Sequence, residues 1–158
     1  MNGRVRGAAR RTAVFRLTRA VPLPAGEVWR RVTDWRAHAA QVPLTSLASV
    51  TAGPARVGTV FVVRSALGRV RFDDPMEVVR WEPPGGGSGI CRLEKRGRVV
   101  LGWAEIEVAP RGPGSVVVWT EELRLRGVPA LLDPVVTRVG RRVFGRALDG
   151  LLRGPGEP

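Results

Sequence analysis

Residues 93–123, LEKRGRVVLGWAEIEVAPRGPGSVVVWTEEL, decide the fold. Apolar side chains alternate through VVLGWAEIEVAP (99–110) and again through SVVVWTEELRL (115–125), and ICRLEKRG (90–97) precedes them. Period-two alternation rich in Val, Ile and Trp predicts half-buried strands. The connections RGR (96–98) and RGPG (111–114) suit hairpins. Three strands in direct succession predict antiparallel pairing, because parallel neighbours need long crossovers.

The pattern continues towards the N-terminus. TVFVVRSAL (59–67) is strongly β-prone, Gly68 marks a reversal, and EPPGGGSG (82–89) reads as a flexible hairpin turn. RVRFDDPMEVVRW (69–81) carries Pro75, which predicts an interrupted or bulged strand. TSLASV (45–50) is a further strand, followed by a turn at AGPARVG (52–58). From Thr12 to Val21, Ala13, Phe15, Leu17 and Arg19 share one face and Val14, Arg16 and Thr18 the other, as in a first strand ended by Pro22 and Pro24. PAGEVWRRVTDW (24–35) reads as a short helix with Glu27 near its positive end and Val28, Val32 and Trp35 on one face. Thr33 or Asp34 can cap a second short helix through Ala40.

The chain closes on a long amphipathic helix. Asp133 and Pro134 suit its N-cap and first position, or it begins near Val128 and kinks at Pro134. Val128, Leu132, Val135, Val139, Val143 and Leu151 form the expected inner stripe. Arg138, Arg142, Arg146, Asp149 and Arg153 form the polar face, and Gly154 and Pro155 stop the helix. This helix is the one element able to cover a face of the sheet. The fold class is therefore α+β: six or seven antiparallel strands wrapped around a long C-terminal helix, with two short helices after strand 1. Residues 1–11 read as a flexible basic tail, 12–153 as a single domain and 154–158 as a second tail.

Composition bounds the partners. Hydrophobic residues make up 44% of the 158, enough for a core, and the formal net charge is +12. Only Lys95 among the 26 basic residues is a lysine, and Gly and Pro are abundant. That bias reflects G/C-rich codons before it reflects a binding surface, and the Arg residues are scattered through strands, so nucleic acid is not an expected partner. The lone Cys91 precludes an intramolecular disulfide. Arg10 and Arg11 lack the apolar stretch of a signal peptide, and no apolar run reaches the roughly 18 residues of a membrane span, so a cytoplasmic location is expected.

The element order resembles the helix-grip fold of the START-like, or SRPBCC, superfamily, in particular its polyketide cyclase/dehydrase-like group. The resembling stretches are VPLPAGEVWRRVTDWRAHAAQVP (21–43), GPARVGTVFVVRSALG (53–68), VVRWEPP (78–84), residues 93–123 and the C-terminal helix. The resemblance implies a cavity between sheet and helix for a hydrophobic small molecule. Superfamily members include carriers, sensors and cyclases. Aromatase/cyclase relatives often orient a polyketide with polar cavity residues, Tyr among them, and this chain has no Tyr.

Absences narrow the chemistry. One His and one Cys leave no usual His/Cys zinc site, so neither metal nor cofactor is expected. His38 reads as a partly exposed helix residue, and Gly85–Gly87 is not a phosphate loop, since no Lys-Ser/Thr follows. Glu121 shares a face with Val117, Trp119, Leu123 and Leu125. It can anchor a ligand or act as a general base, and it is the candidate catalytic residue. The preferred alternative makes it one end of a structural bridge to a neighbouring-strand Arg such as Arg92. Either face of strand 99–110 can be the inner one, because Gly102 permits a bulge, which leaves Glu105 a weak candidate. Arg64 shares a face with Val60 and Val62 and reads as a buried cation or an exposed strand end. Lys95 has no neighbours suggesting Schiff-base chemistry. Trp29 and Trp35 read as packing under the helices, and Trp81, Trp103 and Trp119 as cavity wall. The expected ligand-binding set is Arg64, Trp81, Arg92, Trp103, Trp119, Glu121, Val135 and Val139.

Three functions are consistent with this sequence. The first is binding of an apolar or aromatic, lipid- or polyketide-like molecule by a monomer or homodimer. The others are a polyketide cyclase/aromatase, and an interaction protein offering Arg138, Arg142 and Arg146 to an acidic partner.

Overall fold

The computed structural model describes residues 13–154, so the predicted N-terminal tail, Thr12 and residues 155–158 of the second tail lie outside the described residues. Seven strands form one antiparallel sheet: β1 (Ala13–Val21), β2 (Thr45–Val50), β3 (Val60–Leu67), β4 (Val70–Glu82), β5 (Gly89–Arg96), β6 (Val100–Arg111) and β7 (Gly114–Leu125). Their spatial order is β1-β7-β6-β5-β4-β3-β2. Strands β2 to β7 thus form a meander, and β1 adds beside β7 with Phe15 opposite Glu121.

The long run of alternation keeps β6 and β7 in one register from Val100↔Leu125 to Arg111↔Gly114. The expected freedom at Gly102 is not used for a bulge. Its φ of +122° instead brings its backbone against β7, where a Cβ would lie within clashing distance of the Glu122 carbonyl. Register shifts occur elsewhere, between Leu47 and Ser49 in β2 and between Val78 and Arg80 in β4. The second returns Trp81 to the core side opposite buried Cys91. Pro75 stays within β4, opposite Val62.

Helices α1 (Ala25–Val32) and α2 (Trp35–Gln41) follow β1. Asp34 caps α2 by accepting the Ala37 N–H at 3.0 Å. Both helices bury an apolar face under aromatic side chains. Trp35 stacks on Phe61 with centroids 4.6 Å apart, and Trp29 meets Trp81 edge-on at 5.0 Å.

A 3-10 turn, Ala130–Leu132, leads into helix α3 (Asp133–Arg153), so the helix does not begin at Val128. Asp133 lies in the first turn rather than at the cap, and Thr137 Oγ1 donates to its carbonyl. The buried face of α3 is turned about one residue from the expected stripe. Gly140, Gly145, Ala147, Leu148, Leu151 and Leu152 are buried, with Val136 and Phe144 packed against the core. Val128, Leu132, Val135 and Val139 are exposed. The cause is close approach: a Cβ on Gly140 would sit 2.8 Å from the Phe15 ring. The helix therefore presents its smallest residues to β1 and turns Val135 and Val139 to solvent. Arg19 of β1 fixes this docking with a 2.7 Å ion pair to Asp149. Arg31 of α1 donates to the Leu152 carbonyl at 2.6 Å, satisfying one of the last backbone acceptors.

Candidate functional site: a cavity with a charged end

Between the inner face of β3–β7 and helices α2 and α3 lies a cavity of about 240 Å³. Its walls are mainly apolar: Phe61, Val63, Phe72, Met76, Leu93, Val100, Ala104, Trp119, Leu123 and Leu125 from the sheet, Ala39 and Val42 from the α2 region, and Phe144 from α3. Four ionisable side chains join them: His38, Asp74, Lys95 and Glu121.

Strand parity puts these charges inside. Glu121 alternates with buried Trp119 and Leu123, Lys95 with buried Leu93 and Cys91, and Asp74 with Phe72 and Met76. Lys95 and Glu121 come from strands on either side of β6. Lys95 pairs with Gly102 and Glu121 with Ala104, so no large side chain stands between them. The ammonium crosses this gap to within 2.7 Å of Glu121 Oε1, with both side chains almost wholly buried. The Lys95 ammonium is thus the charged partner of Oε1, the buried end of the ion pair. The other oxygen, Oε2, accepts the Trp119 indole N–H at 2.8 Å.

Asp74 is 6% exposed, and its Oδ1 is buried with no hydrogen-bond partner. Gly97 leaves room for it, since a Cβ there would lie 2.5 Å from Oδ1. Burial pushes the Asp74 carboxyl up to about 6, opposed by the Lys95 charge and reinforced by Glu121. Burial also takes His38 down to about 4. His38 Nε2 lies 2.5 Å from the Val32 carbonyl, which can only accept, so Nε2 carries the proton and Nδ1 is left as an acceptor. His38 is half-buried, as a partly exposed helix residue would be, but it lines the cavity and its ring lies 5.0 Å from that of Trp119.

Of the expected ligand-binding set, Trp119 and Glu121 line the cavity and the other six do not. Arg64 lies on the solvent side, exposed and bonded to Asp73 at 2.7 Å, because Phe61 and Val63 take the inner positions of β3. Arg92 pairs with Glu105, not Glu121, at 3.2 Å, and its guanidinium sits 4.0 Å over the Trp103 ring. Ala104, Ile106 and Val108 take the inner face of β6, which places Trp103 and Glu105 on the outer one. Trp81 packs in the aromatic core with Trp29 and Trp35, away from the cavity wall. Val135 and Val139 are more than half exposed. The expected bridge at Glu121 exists, but its cation is Lys95. The sequence reading missed Lys95, Asp74 and His38 as site residues. The signal for the first two was their parity with Leu93 and Met76.

A larger cleft of about 580 Å³ lies between the end of β1 and the last turn of α3. The Arg19–Asp149 pair lies along it, and none of its lining residues carries a buried polar atom without a partner. No helix of the described residues is long and apolar enough to cross a membrane.

Comparison with known proteins agrees with this architecture. The model of the polyketide cyclase / dehydrase and lipid transport family matches residues 12–153. Among solved structures, the Zhui aromatase/cyclase from Streptomyces sp. R1128 is 15% identical, with 90% of this chain and 92% of that one covered and a TM-score of 0.64. Norcoclaurine synthase from Thalictrum flavum is 16% identical over 97% and 91% of the two chains, with a TM-score of 0.63. The protein TTHA0849 from Thermus thermophilus is 18% identical over 89% and 94%, with a TM-score of 0.63. At these identities the likeness is one of fold, the helix-grip arrangement. No curated protein matches the sequence.

Proposed function

The chain belongs to the polyketide cyclase / dehydrase and lipid transport family, and from that premise we propose that it binds an apolar or aromatic small molecule in the cavity between sheet and α3. The observation that carries this reading is the union of an apolar wall with three buried ionisable side chains at one end. Wall burial supplies affinity, and Glu121, Lys95 and Asp74 set orientation. Trp119 offers a flat ring to the ligand while fixing Glu121. At about 240 Å³ the cavity is smaller than the roughly 300–1,000 Å³ of drug-sized sites, which points to a ligand of one to three rings or a short chain.

Native mass spectrometry of the purified protein, followed by denaturing extraction, tests this directly. A co-purifying apolar compound, displaced by Trp119→Ala, is the expected result. A protein that neither carries nor takes up any apolar compound contradicts the proposal.

A second reading, a cyclase-type enzyme, draws on Asp74. A carboxyl with its pKa raised to about 6 exchanges a proton close to neutral pH, as a general acid or base must. The fold likeness to an aromatase/cyclase is compatible with this. Turnover of a poly-β-ketone model substrate by the wild type but not by Asp74→Asn is the outcome this reading requires.

A further inference from the structure

We propose that the polar group received at the charged end of the cavity is a neutral hydroxyl, phenolic, enolic or alcoholic, and that carboxylate ligands are refused. This rests on the ligand-binding reading above and specifies its chemistry.

Unfilled hydrogen-bonding positions set this preference. One buried carboxylate oxygen, Asp74 Oδ1, has no donor, and Glu121 Oε1 is held by the Lys95 ammonium alone. Glu121 Oε2 is already filled by Trp119. The Lys95 ammonium carries three N–H bonds, and its one ion-pair partner is Glu121. Asp74 and Lys95 both line the cavity, and Asp74 feels the Lys95 charge without an ion pair to it. Thr45 is no competitor, because its hydroxyl donates to the Ala39 and Val42 carbonyls at 2.7 and 2.9 Å.

Each class of ligand group meets these positions differently. A carboxylate would be the third in a buried site holding one cation, and it brings no proton for Asp74 or Glu121. A ketone or ether can accept from Lys95 but leaves Asp74 Oδ1 unfilled. An ammonium can donate to Asp74 but must sit against Lys95. A hydroxyl donates and accepts through one oxygen, and so satisfies Asp74 and Lys95 together without adding charge. Neutral His38 adds a further acceptor, Nδ1, for a ligand with a second hydroxyl. The raised pKa of Asp74 is in keeping with this, since a carboxylate held without donors is poorly stabilised until one arrives.

Four probes of one ring system give the test on the full-length chain at pH 7.5: naphthalene, 2-methoxynaphthalene, 2-naphthol and 2-naphthoate, each titrated by tryptophan fluorescence and calorimetry. The expected order places 2-naphthol about tenfold or more tighter than 2-methoxynaphthalene, as one hydrogen bond to a charged group requires. 2-Naphthoate should bind more weakly than naphthalene itself. Asp74→Asn, confirmed folded by circular dichroism, should shrink the hydroxyl preference to a few-fold and admit 2-naphthoate. Equal or tighter binding of 2-naphthoate than of 2-naphthol in the wild type overturns the proposal, as does equal binding of 2-naphthol and 2-methoxynaphthalene. In both cases uptake of naphthalene would leave the cavity-binding reading standing. Failure of all four to bind removes that reading, and this one with it. The wild-type series decides the question even where the variant does not fold.

Discussion

Lys95 and Glu121 meet at 2.7 Å across an intervening strand whose facing residues are Gly102 and Ala104. A buried ion pair of this kind is costly to break and cheap to replace, because each partner alone is an uncompensated charge. Glu121→Leu should therefore destabilise the protein by about 3–5 kcal/mol. Lys95→Met should cost less, since Trp119 still donates to the remaining carboxylate. The double variant should recover most of the loss, because it removes both desolvation penalties and adds apolar volume. Urea denaturation of the four proteins measures this cycle. Additive losses in the double variant would show that the two side chains do not act as a pair.

Asp74 and His38 lie on the same cavity and titrate in opposite senses. Asp74 has a folded pKa of about 6 against 3.8 for the free group, so the folded state binds more protons between those values. Its contribution is intact below pH 3.8 and is lost as pH rises through 6. His38 has a folded pKa of about 4 against 6.5, so there the unfolded state binds more protons. Its contribution is intact above pH 6.5 and is lost as pH falls through 4. Each effect is on the order of 3 kcal/mol, and between pH 4 and 6 they oppose one another. The wild type should then show a shallow stability profile over that range. Asp74→Asn should unmask stability that rises with pH, and His38→Gln stability that falls with it. Chemical denaturation at half-unit pH steps reads all three slopes, and parallel profiles would refute the assignment.

The fold was most legible where polar residues mark one face of a strand, as Thr120, Glu122 and Arg124 do in β7. In β7, Val117, Trp119, Glu121 and Leu123 stood in strict alternation, and the structure buries all four. In β3 the run VFVVR is apolar on both faces, so parity could not be assigned from composition, and Arg64 was left open between inside and outside. Helix α3 shows a different limit. Hydropathy ranks valine far above glycine, so Val135 and Val139 were expected inside. Shape complementarity with Phe15 decides otherwise, and no single-residue scale carries that information. Lys95 was legible by parity with Leu93, but a lysine in a charged run reads as solvated until the small residues of the neighbouring strand are known to face it.

The two buried glycines of α3 should respond oppositely to alanine. At Gly145 a Cβ would meet its nearest neighbours, Arg19 and Leu17, at 3.7 and 3.9 Å, which is ordinary contact. Gly145→Ala should stabilise the protein by about 0.5–1 kcal/mol through helix propensity. At Gly140 the same methyl would lie 2.8 Å from Phe15 and 3.2 Å from Leu123, both in the packed core. Gly140→Ala should cost about 1–3 kcal/mol after its propensity gain, because the helix must back away from β1. Thermal melts of the two variants suffice. A stabilised Gly140→Ala would mean that α3 sits farther from the sheet.

Placement of the arginines outside and Trp119 inside sets a last expectation. The Arg64–Asp73 pair is about half exposed on both sides, and such pairs contribute about 0–1 kcal/mol. Arg92 spends its guanidinium on Glu105 and the outer face of Trp103. Arg64→Ala and Arg92→Ala should therefore leave the dissociation constant of 2-naphthol unchanged within about twofold, for neither side chain reaches the cavity. Trp119→Ala removes both a wall and the donor that holds Glu121, and should weaken binding by at least about tenfold. Trp119→Phe separates the two effects. It keeps a ring on the wall but leaves Glu121 Oε2 without its donor, so it should retain binding of naphthalene while altering the preference for 2-naphthol. If Arg64→Ala or Arg92→Ala instead weakened 2-naphthol as much as Trp119→Ala, the ligand would sit on the outer face of the sheet, and the cavity would lose its claim as the site.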